Sequence, residues 1–298
     1  MKKILLVFVA LLVMASGSYG KSPRAGHVIL IGLDGMASSC FDGKEMPALA
    51  SLMEQGSWTL KKRSVLPSSS AINWASMFMG VGVELHGYTT WGSKTPELPS
   101  RVVNEHGISP TIFSLLKEQR PESETGCFYE WNTIKCFIDT LAVDNYRQAS
   151  FSDDNRDELC RLAETYIKEK KPTLLALCWD RPDHEGHSSG WGSKEYHSAV
   201  SELDGYIARV VQAVKDAGIY DDTVIIVTAD HGGIKKGHGK ISLNEMETPF
   251  VIAGKGIRKG VEFEESMVQY DVAATVAEVF RLKRPQVWTG RPVMSVFK

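Results

Sequence analysis

Residues 223–239 read Thr-Val-Ile-Ile-Val-Thr-Ala-Asp-His-Gly-Gly-Ile-Lys-Lys-Gly-His-Gly. The first six are almost all β-branched, the side chains that fit a pleated surface best. They show no polar alternation, so both faces of the strand are expected to be covered, as in a parallel sheet flanked by helices. The strand runs straight into Asp230 and His231, and a second histidine, His238, follows between two glycines. In open α/β sheets, ligand sites form just beyond the carboxyl ends of the strands.

Two further strands have the same layout. Thr173 to Trp179 leads into Asp180-Arg181-Pro182-Asp183-His184-Glu185-Gly186-His187, and His27 to Leu33 leads into Asp34-Gly35. Shorter strand readings fall at Thr59 to Leu66, Thr125 to Tyr129 and Pro249 to Ala253. Apolar residues at helical spacing mark helices over Met46 to Gln55, Ile72 to Met79, Pro110 to Glu118, Asp154 to Lys170, Lys194 to Ala217 and Tyr270 to Phe280. Strands separated by helices predict an α/β fold with a mostly parallel central sheet and helices on both faces. No repeat, low-complexity tract or linker interrupts the pattern, so residues 21–298 read as one catalytic domain.

Asp34, Asp183, His187, Asp230, His231 and His238 are the candidate metal ligands. One aspartate at a strand end could cap a helix, and one histidine is ordinarily a structural residue. Their coincidence at three strand ends and a glycine-flanked loop is what points to metal. A mixture of carboxylate and imidazole suits zinc, with manganese as the alternative. Six donors can hold two ions with open positions, the arrangement that clamps the attacking and leaving oxygens of a phosphoryl transfer. A serine hydroxyl of Pro67-Ser68-Ser69-Ser70, just ahead of the helix read from Ile72, is the candidate nucleophile and a further metal contact, because free amides and the helix dipole favour an anion there. Asn73, three residues on, is expected to turn its amide to a phosphoryl oxygen.

The chain has 298 residues, is 43% hydrophobic and 23% charged, and carries a net charge of −2. That is enough apolar content for a substantial core, and too little positive charge for a nucleic-acid polymer partner. Lys61-Lys62-Arg63 reads as a solvated strand edge. His86, His184 and His197 read as surface residues. Lys2-Lys3, the apolar run from Ile4 to Met14 and the small residues up to Gly20 form the pattern of a cleaved export signal over residues 1–20, which predicts a secreted or periplasmic protein. The apolar run is too short to span a bilayer, and nothing after residue 20 reads as a transmembrane segment. Of the five cysteines, Cys127 and Cys136 are the best candidate pair and Cys178 reads as core.

Taken together, these motifs resemble the alkaline phosphatase superfamily, and within it the type I phosphodiesterase / nucleotide pyrophosphatase branch. The most specific pieces are Pro182-Asp183-x-x-Gly186-His187 and Thr228-Ala229-Asp230-His231-Gly232-Gly233. The resemblance implies an alkaline-phosphatase-like fold. It also implies that Asp34, Asp230 and His231 hold one ion, and Asp183, His187 and His238 the other. Ser70 and Asn73 match the family's nucleophile pattern in register. Trp74 stands where the branch commonly has His, and Ile72 where it often has Pro. The x-Pro-x-Arg sequence that follows a sulfatase nucleophile is absent.

The implied reaction is cleavage of a small-molecule phosphoester through a phosphoseryl intermediate. Lys94 and Arg181 are the only nearby cations in the motif loops. Trp74, Tyr88, Trp91 and Trp131 fall in or near those loops and could stack on a base or second ester group. This favours phosphodiester or pyrophosphate bonds of nucleotide-type substrates. A phosphomonoesterase on the same scaffold and a catalytically silent phospho-ligand-binding module are the alternatives.

Overall fold

A computed structural model describes residues 24–150 and 152–298. The export-signal reading of residues 1–20 lies outside them. In chain order the elements are β1 (His27–Leu33), α1 (Pro47–Gln55), β2 (Gly56–Arg63), α2 (Ser70–Met79), α3 (Val83–His86), α4 (Ile112–Gln119), β3 (Thr125–Tyr129), β4 (Asn145–Gln148), α5 (Glu158–Lys170), β5 (Leu174–Trp179), α6 (Asp183–Ser189), α7 (Lys194–Asp216), β6 (Thr223–Thr228), α8 (Leu243–Met246), β7 (Glu247–Gly254), β8 (Val261–Glu262) and α9 (Asp271–Val279). The strands form one sheet in the order β4-β3-β5-β1-β6-β7-β2-β8. Only β7 runs against its neighbours; every other pairing is parallel. The expected mostly parallel α/β sheet is therefore the fold.

Both faces of the sheet are buried, and β1 shows why. Val28 and Leu30 enter one apolar cluster with α2, α4 and α9. Ile29, Ile31 and Leu33 enter the other with α1, α5 and α7. Period-2 geometry sends successive side chains to opposite faces, so a run without polar interruption feeds two cores. Local signals fix the helix ends: Ser193 caps α7 by accepting the Tyr196 amide at 3.2 Å, and Thr111 and Ser114 form a reciprocal capping box on α4. Gly32 in β1 has a specific purpose. A Cβ there would lie 2.3 Å from Cη2 of Trp74, so only glycine lets that ring lie against the strand.

The register sets Leu33 beside Trp179 and Gly32 beside Thr228. The carboxyl ends of β1, β5 and β6 thus finish side by side, and the loops after them meet at one edge.

Several expectations are corrected. The Cys127–Cys136 pair does not form: all five cysteines are free, and the Cys127 side chain lies in the sheet core beside the Cys178 thiol. Lys62 is not solvated but fully buried. A bulge in β2 between Thr59 and Lys62 breaks the alternation and turns Lys62 inward, while Lys61 and Arg63 stay exposed. His86 is buried rather than at the surface, 3.0 Å from Ser76 Oγ, and its Nδ1 accepts the Tyr88 amide at 3.0 Å. Among the described residues no helix is long and apolar enough to cross a membrane.

Candidate active site

Asp34 follows β1, Asp230 and His231 follow β6, and Asp183 and His187 sit one turn apart on α6 after β5. His238 arrives on the loop beyond Gly233. Asp34, Asp230 and His231 each offer a donor atom within 4.8 Å of the others, and so do Asp183, His231 and His238. His187 Nε2 joins the second group, 3.3 Å from Asp183 Oδ2 and 3.1 Å from His238 Nε2. All six expected donors therefore meet, with His231 in reach of both groups. Ser70, the first residue of α2, puts its Oγ 3.0 Å from His231 Nε2 and 3.4 Å from Asp34 Oδ1.

The imidazoles share one orientation. Nδ1 of His231 lies 2.8 Å from the Gly232 carbonyl, Nδ1 of His238 lies 2.9 Å from the Ser68 carbonyl, and Nδ1 of His187 lies 3.1 Å from the Lys236 carbonyl. A carbonyl can only accept, so each Nδ1 carries the proton and each Nε2 turns a lone pair inward. Metal-ligating histidines are oriented in this way by their outer partners. The lone pairs of His187 and His238 then face each other at 3.1 Å, and the buried oxygens Asp183 Oδ1 and Asp230 Oδ2 accept no hydrogen bond. Converging lone pairs with no donor between them are costly unless a cation sits there. The residues thus fit two divalent ions.

The same crowding shows in the titrations. Burial, then the neighbouring carboxylates, pushes Asp34 and Asp183 well above the usual carboxylate range. Burial likewise pushes Asp230 up to about 6, against the lowering effect of the Gly35 and His231 amides. Burial draws His231 down to about 4 and His238 down to about 3, so both imidazoles are neutral at neutral pH.

The sequence did not disclose what holds these groups in place. Trp74 is buried, and its indole N–H donates to Asp34 Oδ2 at 2.9 Å, so it braces that carboxylate and offers no open face to a substrate. Gly35, at φ +71°, donates its amide to Asp230 Oδ1 at 3.0 Å; a Cβ there would come 2.8 Å from the Asp183 backbone. Ser68 ties the nucleophile loop to the His238 loop: its Oγ donates to the Lys240 carbonyl at 2.7 Å and accepts the Gly239 amide at 3.1 Å. Trp191 donates to the Gly35 carbonyl at 2.8 Å and sets its ring edge-on to His187.

Asn73 departs from its expected role. It is fully buried, its Oδ1 accepts the Val65 amide at 2.7 Å, and its Nδ2 donates to the carbonyls of Val65, Pro67 and Ser69. Its amide is taken up by these backbone groups and shapes the turn that delivers Ser70. The expected aromatic surface also divides. Trp74 and Tyr88 are buried, whereas Trp91 is 63% exposed and stacks on Trp131 with centroids 6.4 Å apart. Arg181 is buried, and its guanidinium pairs with Glu202 at 2.8 Å and donates to the Arg156 carbonyl at 3.3 Å.

Trp74→Phe deletes the indole N–H to Asp34 together with the outer ring that lies against Gly32. A hydrogen bond to a charged group is worth about 1.5–3 kcal/mol, so kcat/KM is expected to fall at least roughly tenfold. Steady-state kinetics beside a melting curve checks this; a change in melting temperature alone would assign Trp74 to packing.

A mostly parallel sheet with carboxylate and imidazole donors gathered at its strand ends around a serine places the chain in the alkaline-phosphatase-like class. The family model "Type I phosphodiesterase / nucleotide pyrophosphatase" matches residues 28–261, and the chain belongs to that family. The bis(5'-adenosyl)-triphosphatase enpp4 of Mus musculus is 24% identical over 232 residues, covering 74% of this chain and 50% of the relative. The chain spans about half the length of such curated relatives. Among solved structures, murine ectonucleotide pyrophosphatase/phosphodiesterase 5 in complex with AMP superposes with a TM-score of 0.72 at 15% identity, covering 91% of this chain and all of that one. The phosphonate monoester hydrolase of Silicibacter pomeroyi superposes at 0.68 with 16% identity, covering 90% and 76%. At these identities the superpositions report the fold.

Proposed function

We propose that this protein is a metal-dependent phosphodiesterase that cleaves phosphodiester or pyrophosphate bonds in small nucleotide-type substrates, with Ser70 as nucleophile. The observation that carries the reading is the placement of Ser70 Oγ, at a helix N-terminus and within 3.4 Å of Asp34 Oδ1 and His231 Nε2. Asp34, Asp230 and His231 would hold one zinc ion, and Asp183, His187 and His238 the other. The bound ions would supply Lewis-acid charge that lowers the serine pKa and offsets charge on the phosphoryl oxygens.

Ser70 Oγ attacks phosphorus, the bond to the leaving oxygen breaks as the Oγ–P bond forms, and the serine proton passes through solvent to the departing oxygen. The free amides of Ser70, Ala71 and Ile72 at the start of α2 are available to a phosphoryl oxygen. Water then attacks the phosphoserine; the P–Oγ bond breaks and Ser70 regains its proton. The Asn73-braced turn and the Ser68 bridge keep Oγ in line throughout. Relatives named for AMP binding and for diadenosine triphosphate cleavage support a nucleotide-type substrate.

The burial of Arg181 favours diesters over monoesters, because a monoesterase gains from a guanidinium on the dianionic phosphoryl group. The Trp91–Trp131 stack would receive the second ester group. Export through residues 1–20 would place the enzyme outside the cytoplasm. With zinc-loaded protein, higher kcat/KM is expected on bis-p-nitrophenyl phosphate than on p-nitrophenyl phosphate. Equal or better turnover of the monoester makes the protein a phosphatase on this scaffold. Zinc binding with neither ester cleaved makes it a silent phospho-ligand-binding module.

A further inference from the structure

Lys62 takes no part in the chemistry above, yet it is completely buried beside the site. It stands on β2, two strands from β6, opposite Thr248 of β7. Its Nζ donates to the Ala229 carbonyl at 2.8 Å and to Oε1 of Gln269, which is also fully buried. Burying an ammonium is expensive, and a β-bulge is needed to turn it inward at all.

The Ala229 carbonyl belongs to the peptide plane that ends in the Asp230 nitrogen. Fixing that plane fixes the direction from which Asp230 leaves β6. At its other end Asp230 is fixed through Oδ1, which accepts the amides of Gly35 at 3.0 Å and His231 at 2.8 Å. Oδ2 is left pointing into the site without a hydrogen bond. His231 follows directly, so the same plane governs its Nε2. Gln269 is anchored in turn: its backbone N–H donates to the Arg63 carbonyl at 2.8 Å, next to Lys62. The ammonium, Gln269 and β2 form a closed brace behind the strand end.

We propose that Lys62 is a positioning residue of the Asp34–Asp230–His231 centre, pinning the Ala229 carbonyl so that the donor atoms of Asp230 and His231 meet at one point. This rests on the metal reading of the site. It differs from an ordinary buried lysine in what its loss does. A core residue contributes stability alone, whereas a brace of this kind contributes metal affinity and kcat.

The test uses the full chain, stripped of metal and titrated with zinc against a chromogenic chelator. Lys62→Met keeps the length and the apolar stem and removes the ammonium. It is expected to weaken zinc binding about tenfold or more, as losses of outer partners do. The kcat on bis-p-nitrophenyl phosphate should fall with it while KM stays within about twofold, since a purely ground-state contact would move KM instead. Wild-type zinc affinity and kcat with only a lowered melting temperature overturns the proposal and leaves Lys62 a core residue. If Lys62→Met does not fold, Gln269→Leu removes the ammonium's second anchor and should weaken zinc binding in the same direction; unchanged affinity there overturns the proposal equally. Wild-type protein that binds no zinc defeats the metal reading and the proposal together. Protein that binds zinc but cleaves no ester defeats only the phosphodiesterase reading, and the zinc arm still decides on Lys62.

Discussion

Ser70→Ala is expected to lower kcat by about 10⁴-fold or more, the scale seen when a nucleophile is removed from a unit that acts together. The zinc content should not change. Each proposed ion keeps three protein donors without Ser70, and the hydroxyl makes only the two contacts to His231 and Asp34. The fold should also persist, because alanine at the first position of α2 leaves the helix and the Asn73-braced turn intact. Kinetics on bis-p-nitrophenyl phosphate with metal analysis of the same sample tests this. Retention of more than a few per cent of activity with two zinc ions bound would show that water, not Ser70, attacks phosphorus.

Stripping the metal with a chelator is expected to abolish turnover and to lower the melting temperature. A ligand at 100 times its Kd stabilises by about 2.7 kcal/mol, and for a chain of this size each kcal/mol is worth about 2–4 °C, so a fall of about 5–10 °C is expected. Zinc should restore both. The pH dependence has a definite sign. Asp34 and Asp183 are held well above the carboxylate range and Asp230 is raised to about 6, chiefly by burial. Protons therefore compete with zinc for these groups, and binding should weaken steadily as pH falls from 8 to 5.5. Calorimetry in buffers of different ionisation heat would register the released protons. A melting temperature and activity indifferent to chelation would rule out a metal centre.

Strand positions were legible wherever burial on both faces had removed polar residues. β1 and β6 lie within the limits expected from their sequences, and β5 begins one residue late. The edge strand β4, Asn-Tyr-Arg-Gln, was not legible, because three of its four residues are exposed and it has no apolar period. The six candidate donors, which the fold does bring together, could be picked out because carboxylate and imidazole at strand ends is a chemical signature independent of packing. Second-layer roles were not. The spacing that puts Asn73 in register with a family motif is silent about the direction of its amide. Lys62 lies in a basic triplet that looks solvated until the bulge is seen. Trp74 reads as a stacking aromatic until Gly32 is recognised as the hollow that receives it. Cys127 and Cys136 are close in sequence, but β-strand geometry points the first into the sheet.

The pairing of β1 also governs how the chain can be built. Val28 lies beside Leu174 on one side and Val224 on the other. Among the described residues, β1 comes first in the chain yet lies at the centre of the sheet, and its neighbours β5 and β6 are made more than 140 residues later. Closing loops of that length comes late and slowly in folding, because the entropy cost precedes the contacts that offset it. Until β6 emerges, a nascent chain has no completed sheet and no assembled set of ligands. In an unfinished chain, therefore, Asp34 stands apart from Asp183, Asp230 and His238, and these side chains meet only once the sheet is in place.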